Sequence, residues 1–206
     1  LEANKQFTTA YSLGNWSENK EEQIFVDSLN DKSSASIFQE GPKLTRKNNS
    51  SPEERIAGFN AKIRVGSDLK KQVQRAEGWA NISDSKWGIS LGIKHFLKEY
   101  PKEIAFNDLN EEAIAYLWSP KAPPMSFERA NTTPDQGMIA NFAEGITKTS
   151  ELVIHFHRAN VSTNDLESTM AYFLDPPVAS ADPSVYSRSQ VYGNFSPRSN
   201  RNAAFE

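Results

Sequence analysis

The stretch ELVIHFHRAN, Glu151 to Asn160, places two of the chain's three histidines, His155 and His157, one residue apart. In an extended backbone, residues i and i+2 project from one face with their roots roughly 6.5–7 Å apart. Two imidazoles at that spacing suit three uses. They can line one groove and exchange protons, because histidine changes charge near neutral pH. They can bind one metal ion with a third protein ligand, for which His95, Glu144 and Glu151 are the candidates. They can also be half-exposed polar residues on a wet sheet face, hydrogen-bonded to their neighbours.

Other side chains could serve the same chemistry. Lys94, Lys148, Arg129 and Arg158 lie among or beside strand-like runs and could hold a carboxylate, with arginine gripping it bidentately. Each is equally at home as a solvated surface charge. Trp79, Trp87, Tyr100, Trp118 and Phe127 fall near strand ends and loops. A flat aromatic ring there can stack on the C–H face of a sugar, or it can fill a core. The nucleophile elbow, the P-loop, the dinucleotide fingerprint and the HExxH zinc motif are all missing from the sequence.

The elements that must position these residues read mostly as strands. KTSELVIHFHRA alternates, with Leu152, Ile154 and Phe156 on one face and Glu151, Val153, His155 and His157 on the other. EQIFVDSL and SASIFQ, joined by NDKSS, suggest a hairpin. IAGFNAKIRV alternates as one half-buried strand. QVQRAEGWANIS and WGISLGIKHF flank NISDSK, whose Asn, Asp and Ser suit a turn. In the second of these, Gly88, Ser90, Gly92 and Lys94 share a face, and the glycines leave a shallow trough for a backbone or ligand. EEAIAYLW is read as a strand stopped by SPKAPPM. Residues 41–54 read as a long exposed loop. The one helical pattern is STNDLESTMAYFL, capped by Ser162 or Thr163 and ended by DPP. The fold class expected is mainly β, an antiparallel β-sandwich of super-sandwich type with long loops and one short helix. Residues 1–178 would form it, and 179–206 would be an arm or linker.

Bulk properties narrow the function classes. A chain of 206 residues can bury a core without staples. Its net charge of −3 offers no basic stripe for nucleic acid. It has no cysteine, so disulfides, thiolate metal sites and thiol catalysis are excluded. No apolar run reaches the length of a membrane span. The chain opens at Leu1 and is expected to be a processed form or part of a longer protein.

At EGWANISDSKWGISLGIKHFLKEYPKEI the sequence resembles the YetA-like family, which includes the exo-rhamnogalacturonan lyases. The shared order is a GW…SD hairpin, a strand ending in Phe96, and YPK. GITKTSELVIHFH is similar to that family's strand ending in Phe-His, and ADPSVYSRSQVYG to its segment leading out of the sandwich. YSLGNWSENKEEQIFV fits more loosely. The resemblance runs over roughly residues 5–195 and is best at 76–104 and 144–193. Two departures stand out: Leu97 follows Phe96 where the family has Trp, and Ser150 stands where it has His.

The resemblance implies a central sandwich domain followed by a C-terminal helical toroid of the same protein. It implies a secreted or periplasmic setting, an acidic polysaccharide as partner, and low or no activity for the sandwich alone. The reaction implied is β-elimination beside a uronic acid. A base takes the C5 proton, and the neighbouring carboxylate must be neutralised while charge develops. No resident cofactor is expected, although a hard cation such as Ca²⁺ can do the neutralising. His155 and His157 are then the candidate base and carboxylate partner, Lys148 and Arg158 the carboxylate holders, and Trp87 and Tyr100 the walls of a sugar subsite. The alternative reading is a non-catalytic carbohydrate-binding or structural sandwich.

Overall fold

The computed structural model describes residues 5–13, 21–30, 32–45, 54–125, 147–159, 161–191 and 193. Its strands are β1 (Gln6–Leu13), β2 (Glu21–Ser28), β3 (Ser34–Glu40), β4 (Lys43–Thr45), β5 (Glu54–Ala57), β6 (Asn60–Val65) and β7 (Asp68–Val73). They continue with β8 (Arg75–Ser83), β9 (Trp87–Ile93), β10 (Lys102–Asn107), β11 (Glu112–Tyr116) and β12 (Leu152–Arg158), followed by helices α1 (Thr163–Leu174) and α2 (Pro183–Ser189). The first sheet has the order β12-β9-β8-β1-β2 and the second β11-β10-β3-β6-β7, with β4-β5 a separate pair. The paired strands are antiparallel. This is the expected β-sandwich.

Period-two alternation builds its core. Phe7, Ala80, Ile82, Leu91 and Ile93 face inward from the first sheet, and Ile37, Ile63, Val65, Ile104 and Phe106 from the second. Phe7 and Phe106 meet across the layers edge to face, with ring centroids 6.1 Å apart. Burying each such side chain contributes about 1.5–3 kcal/mol. One end of this apolar layer is closed by polar residues. Gln39 and Lys102, directly opposite one another on β3 and β10, are both fully buried. The Gln39 amide shares its two N–H groups among the carbonyls of Glu40, Asn60 and Gln74 and accepts from Ala76 N–H. Lys102 Nζ donates to Glu99 Oε2 at 2.7 Å and to the Lys94 carbonyl at 3.2 Å.

The structure corrects several local expectations. β2 and β3 do not form a hairpin, because they lie in different sheets. Leu29 tucks into the core and Asn30 takes a left-handed φ of 45°, so NDKSS carries the chain across the sandwich. IAGFNAKIRV is two strands, broken at Gly58 and Phe59, and Gln74 likewise separates β7 from β8, where the chain changes sheets. Within residues 41–54 the expected loop begins with β4, which pairs with β5 on its far side.

Helix α1 begins as its sequence suggests, with Ser162 accepting from Asp165 N–H. The segment beyond it holds a second short helix, α2, capped by Asp182 with Pro183 in its first turn. The expected arm concealed this helix because none of its residues is buried, so no apolar stripe marks it. Leu1–Asp175 and Pro176–Glu206 form two separate compact units. Among the described residues no helix is long and apolar enough to cross a membrane.

Candidate functional site

β12 is the edge strand of the first sheet and pairs with β9 so that Val153 meets Gly92, His155 meets Ser90 and His157 meets Gly88. β8 continues the row, with Asn81 opposite Ser90 and Trp79 opposite Gly92. All of these residues occupy the outer face of the sheet, away from the core. The face divides into an apolar half and a polar half.

The apolar half is covered by α1. Leu166 and Met170 on the helix pack with Trp79 and Ala10, flanked by Val153, Val161 and Leu174. Gly92 permits this approach. A Cβ placed there would lie 2.5 Å from Val153 Cγ1 and 2.7 Å from the Met170 methyl carbon. Gly88 does the same for the polar half, where an added Cβ would lie 2.4 Å from His157 Cε1. The trough expected to admit a ligand is therefore filled at both glycines by the chain's own side chains.

In the polar half the two imidazoles stand side by side, with ring centroids 5.4 Å apart and planes tilted by 32°. Their surroundings differ. His157 Nε2 lies 2.8 Å from Asn81 Oδ1, and its Nδ1 lies 2.8 Å from the Arg158 carbonyl. Asn81 Oδ1 also accepts from Ser90 Oγ at 2.9 Å, and both Asn81 and Ser90 are fully buried. A neutral imidazole donates from only one nitrogen. With Asn81 in this orientation, the two acceptors are satisfied together only when both His157 nitrogens carry protons; turning the amide would let Nδ2 donate to Nε2 instead.

His155 has the opposite setting. Its Nδ1 is enclosed and has no hydrogen-bond partner among the described residues. That nitrogen is unpaired in either tautomer, and a buried polar atom left without a partner costs about 1–3 kcal/mol. Burial, and then the charge of neighbouring His157, holds the His155 pKa below the ordinary histidine value. The pair thus combines an enclosed ring that favours the neutral form with one hydrogen-bonded at both nitrogens.

The remaining sequence candidates do not join this pair. Lys148 already has a carboxylate partner, with its Nζ 2.8 Å from Glu99 Oε2. Arg158 shares strand parity with Phe156 and so points to the sheet face opposite the histidines. Trp87, opposite Arg158 in register, is on that other face too, with its ring centroid 6.5 Å from that of Phe156. Tyr100 lies against Gly41 and meets Phe59 edge to face at 5.6 Å. A cavity of about 570 Å³, bordered by Glu40, Gly41, Phe59, Asn60, Lys62 and Gln72, lies beside that contact at the end of the second sheet. The expected grouping of histidines, cations and aromatic walls in one cleft is not what the fold produces, because strand parity and the long β9–β10 turn send them to different faces.

Among the described residues no three His, Cys, Asp or Glu side chains converge. Glu151 pairs with Lys94 at 3.0 Å, and His95 is exposed in the turn after β9 with a φ of 56°. Glu144, Arg129 and Phe127 lie outside the described residues. Asn81 and Ser90, which organise the histidine pair, were not apparent in the sequence. The signal that could have found them is the β8–β9 hairpin register, since the turn at Asp84 places Asn81 opposite Ser90.

Comparison with known proteins agrees with this architecture. A model of the PcRGLX-like protein central beta sandwich domain matches residues 67–171. A search of curated proteins finds no match. The matched span contains β7 to β12 and most of α1, including both histidines, Asn81 and Ser90. By fold and by sequence, the chain belongs to the PcRGLX-like central beta sandwich family, a rhamnogalacturonan lyase-like domain.

Proposed function

We propose that this domain contributes the His155–His157 pair to β-elimination of a uronic-acid-containing glycan of the rhamnogalacturonan type. The observation that carries the reading is the asymmetric pair itself. Two imidazoles stand 5.4 Å apart on an outer sheet face, one with its pKa lowered and the other held at both ring nitrogens. Neutral His155, in the tautomer that carries its proton on the enclosed Nδ1, takes the C5 proton at Nε2, and the electron pair left behind forms the C4–C5 double bond as the C4–O bond breaks. Charge accumulates on the uronate carboxylate during proton removal, so positive charge nearby lowers the barrier. His157, with Asn81 and the Arg158 carbonyl as acceptors, supplies that charge when doubly protonated. An acid then protonates the departing oxygen.

One observation favours a second reading, a carbohydrate-binding or structural sandwich. Neither Lys148 nor Arg158 faces the histidines, so these two carboxylate holders are not beside the pair.

The test follows the ultraviolet absorbance of unsaturated uronate formed from rhamnogalacturonan by the longest polypeptide that carries this sequence. Product formation lost by at least about a hundredfold in His155→Ala, with binding retained, supports the lyase reading. Equal activity in wild type and His155→Ala removes His155 from the chemistry. Binding with no new chromophore on any acidic glycan establishes the second reading.

A further inference from the structure

β12 carries an apolar row that the sandwich leaves uncovered. Leu152, Ile154 and Phe156 pair with Ile93, Leu91 and Ile89 and so extend the core-facing side of the first sheet, yet they are 52%, 60% and 67% exposed. The edge strand of the second sheet, β11, lies over β9, so β12 overhangs it. Trp87, 41% exposed, adds a fourth large apolar group beside Phe156. An exposed edge strand with alternating apolar residues is the kind of surface that recruits another strand.

The backbone identifies which residues would do so. Lys94 N–H donates to the Glu151 carbonyl, and Ala159 N–H donates to the Lys86 carbonyl. Both contacts belong to the same antiparallel register, which makes the odd-numbered residues of β12 the ones hydrogen-bonded to β9. The N–H and C=O groups of Leu152, Ile154, Phe156 and Arg158 therefore point to the open edge. Among the described residues no strand occupies that edge. The residues with outward backbone groups are thus the same residues with exposed apolar side chains.

We propose that the open edge of β12 pairs with β12 of a second copy of this chain, antiparallel about a two-fold axis through Ile154. In this register Ile154 meets itself and Leu152 meets Phe156 of the other copy, giving about six backbone hydrogen bonds. Every directly opposed pair on that face is apolar with apolar, as cross-strand pairing favours. On the other face Glu151 of the second copy stands opposite His157, a carboxylate facing an imidazole. A register shifted by one residue would put apolar side chains against the histidine face, which the pleat forbids. The row is short compared with the roughly 1,200–2,000 Å² buried in a standard interface, so the dimer is a micromolar one, in exchange with monomer.

Sedimentation velocity over a concentration series tests this, with Ile154→Pro as the diagnostic variant. The Ile154 N–H faces outward, so proline there removes no bond to β9, and edge strands tolerate it. Wild type is expected to double its mass with rising concentration, while Ile154→Pro stays monomeric with an unchanged circular dichroism spectrum. If the variant misfolds, Phe156→Lys, an exposed edge charge, provides the same comparison. A wild type that stays monomeric up to hundreds of micromolar overturns the proposal, as does a dimer that survives both substitutions. Slow hydrogen exchange at the 152, 154 and 156 amides in a monomeric sample would overturn it as well, by showing that another segment of the same chain holds the edge.

Discussion

Replacing Glu99 with Gln tests the polar end of the sandwich. Glu99 Oε2 receives both Lys102, at 2.7 Å, and Lys148, at 2.8 Å. Those two lysines, Lys102 first, hold its carboxyl pKa at about 2 against an ordinary 4.5. A shift of that size corresponds to a ceiling of about 3 kcal/mol. The side chain is 26% exposed, so solvent screening reduces the contribution to about 1–2 kcal/mol. A carboxyl with a lowered folded-state pKa stabilises above its unfolded value and loses that contribution as pH falls through the folded one. Glu99→Gln leaves the fully buried Lys102 ammonium with neutral acceptors only, the new amide oxygen and the Lys94 carbonyl, and so removes its charged partner. Urea unfolding at neutral pH is expected to show a loss of about 1–2 kcal/mol. The gap between wild type and variant is then expected to shrink by about 1–2 kcal/mol as pH falls from about 5 towards 2. Lys148→Met, which removes the half-exposed partner only, is expected to cost less than about 1 kcal/mol. A gap that does not change with pH across that window would refute the reasoning, as would a Glu99→Gln protein as stable as wild type at neutral pH.

Gly92→Ala is expected to destabilise by about 1–3 kcal/mol in thermal or urea unfolding, because the new methyl meets Val153 and Met170 beneath α1. Gln39→Leu is expected to cost about 1–3 kcal/mol in the same assay, since it strands the Ala76 N–H in a buried position. If His155 is the base, its lowered pKa places the acid limb of the kcat/KM–pH profile below pH 6.5, with activity lost as the ring gains its proton. An acid limb at or above 6.5 would separate that limb from His155.

The strands with strict alternation were legible from the sequence, and β12 was the clearest of them. Its parity correctly placed His155 and His157 together, and the same parity already set Arg158 on the opposite face. The helix was legible because Ser162, the acidic first turn and the apolar spacing of Leu166 and Met170 all agree. What the helix covers was not legible, since nothing local to Trp79 distinguishes a tryptophan buried under a helix from one in the core. The sheet changes at NDKSS and at Gln74 were hidden for a related reason. A polar turn has the same composition whether the chain doubles back within a layer or crosses to the other one. The histidine site was half visible: β12 supplied the rings, but Asn81 comes from another strand and only the hairpin register brings it near.

The strand order has one consequence for how the molecule is made. β1 lies inside the first sheet, between β2 and β8, although β3 to β7 separate it from β8 along the chain. On the ribosome β1 and β2 can pair as soon as both have emerged. The inner margin of β1 then waits, with its hydrogen-bonding groups unsatisfied, while the whole β3–β7 stretch is synthesised. During that interval the nascent chain offers a sticky seam to any neighbour, so slowing translation before β8 is expected to favour aggregates, and hastening the delivery of β8 to favour soluble protein.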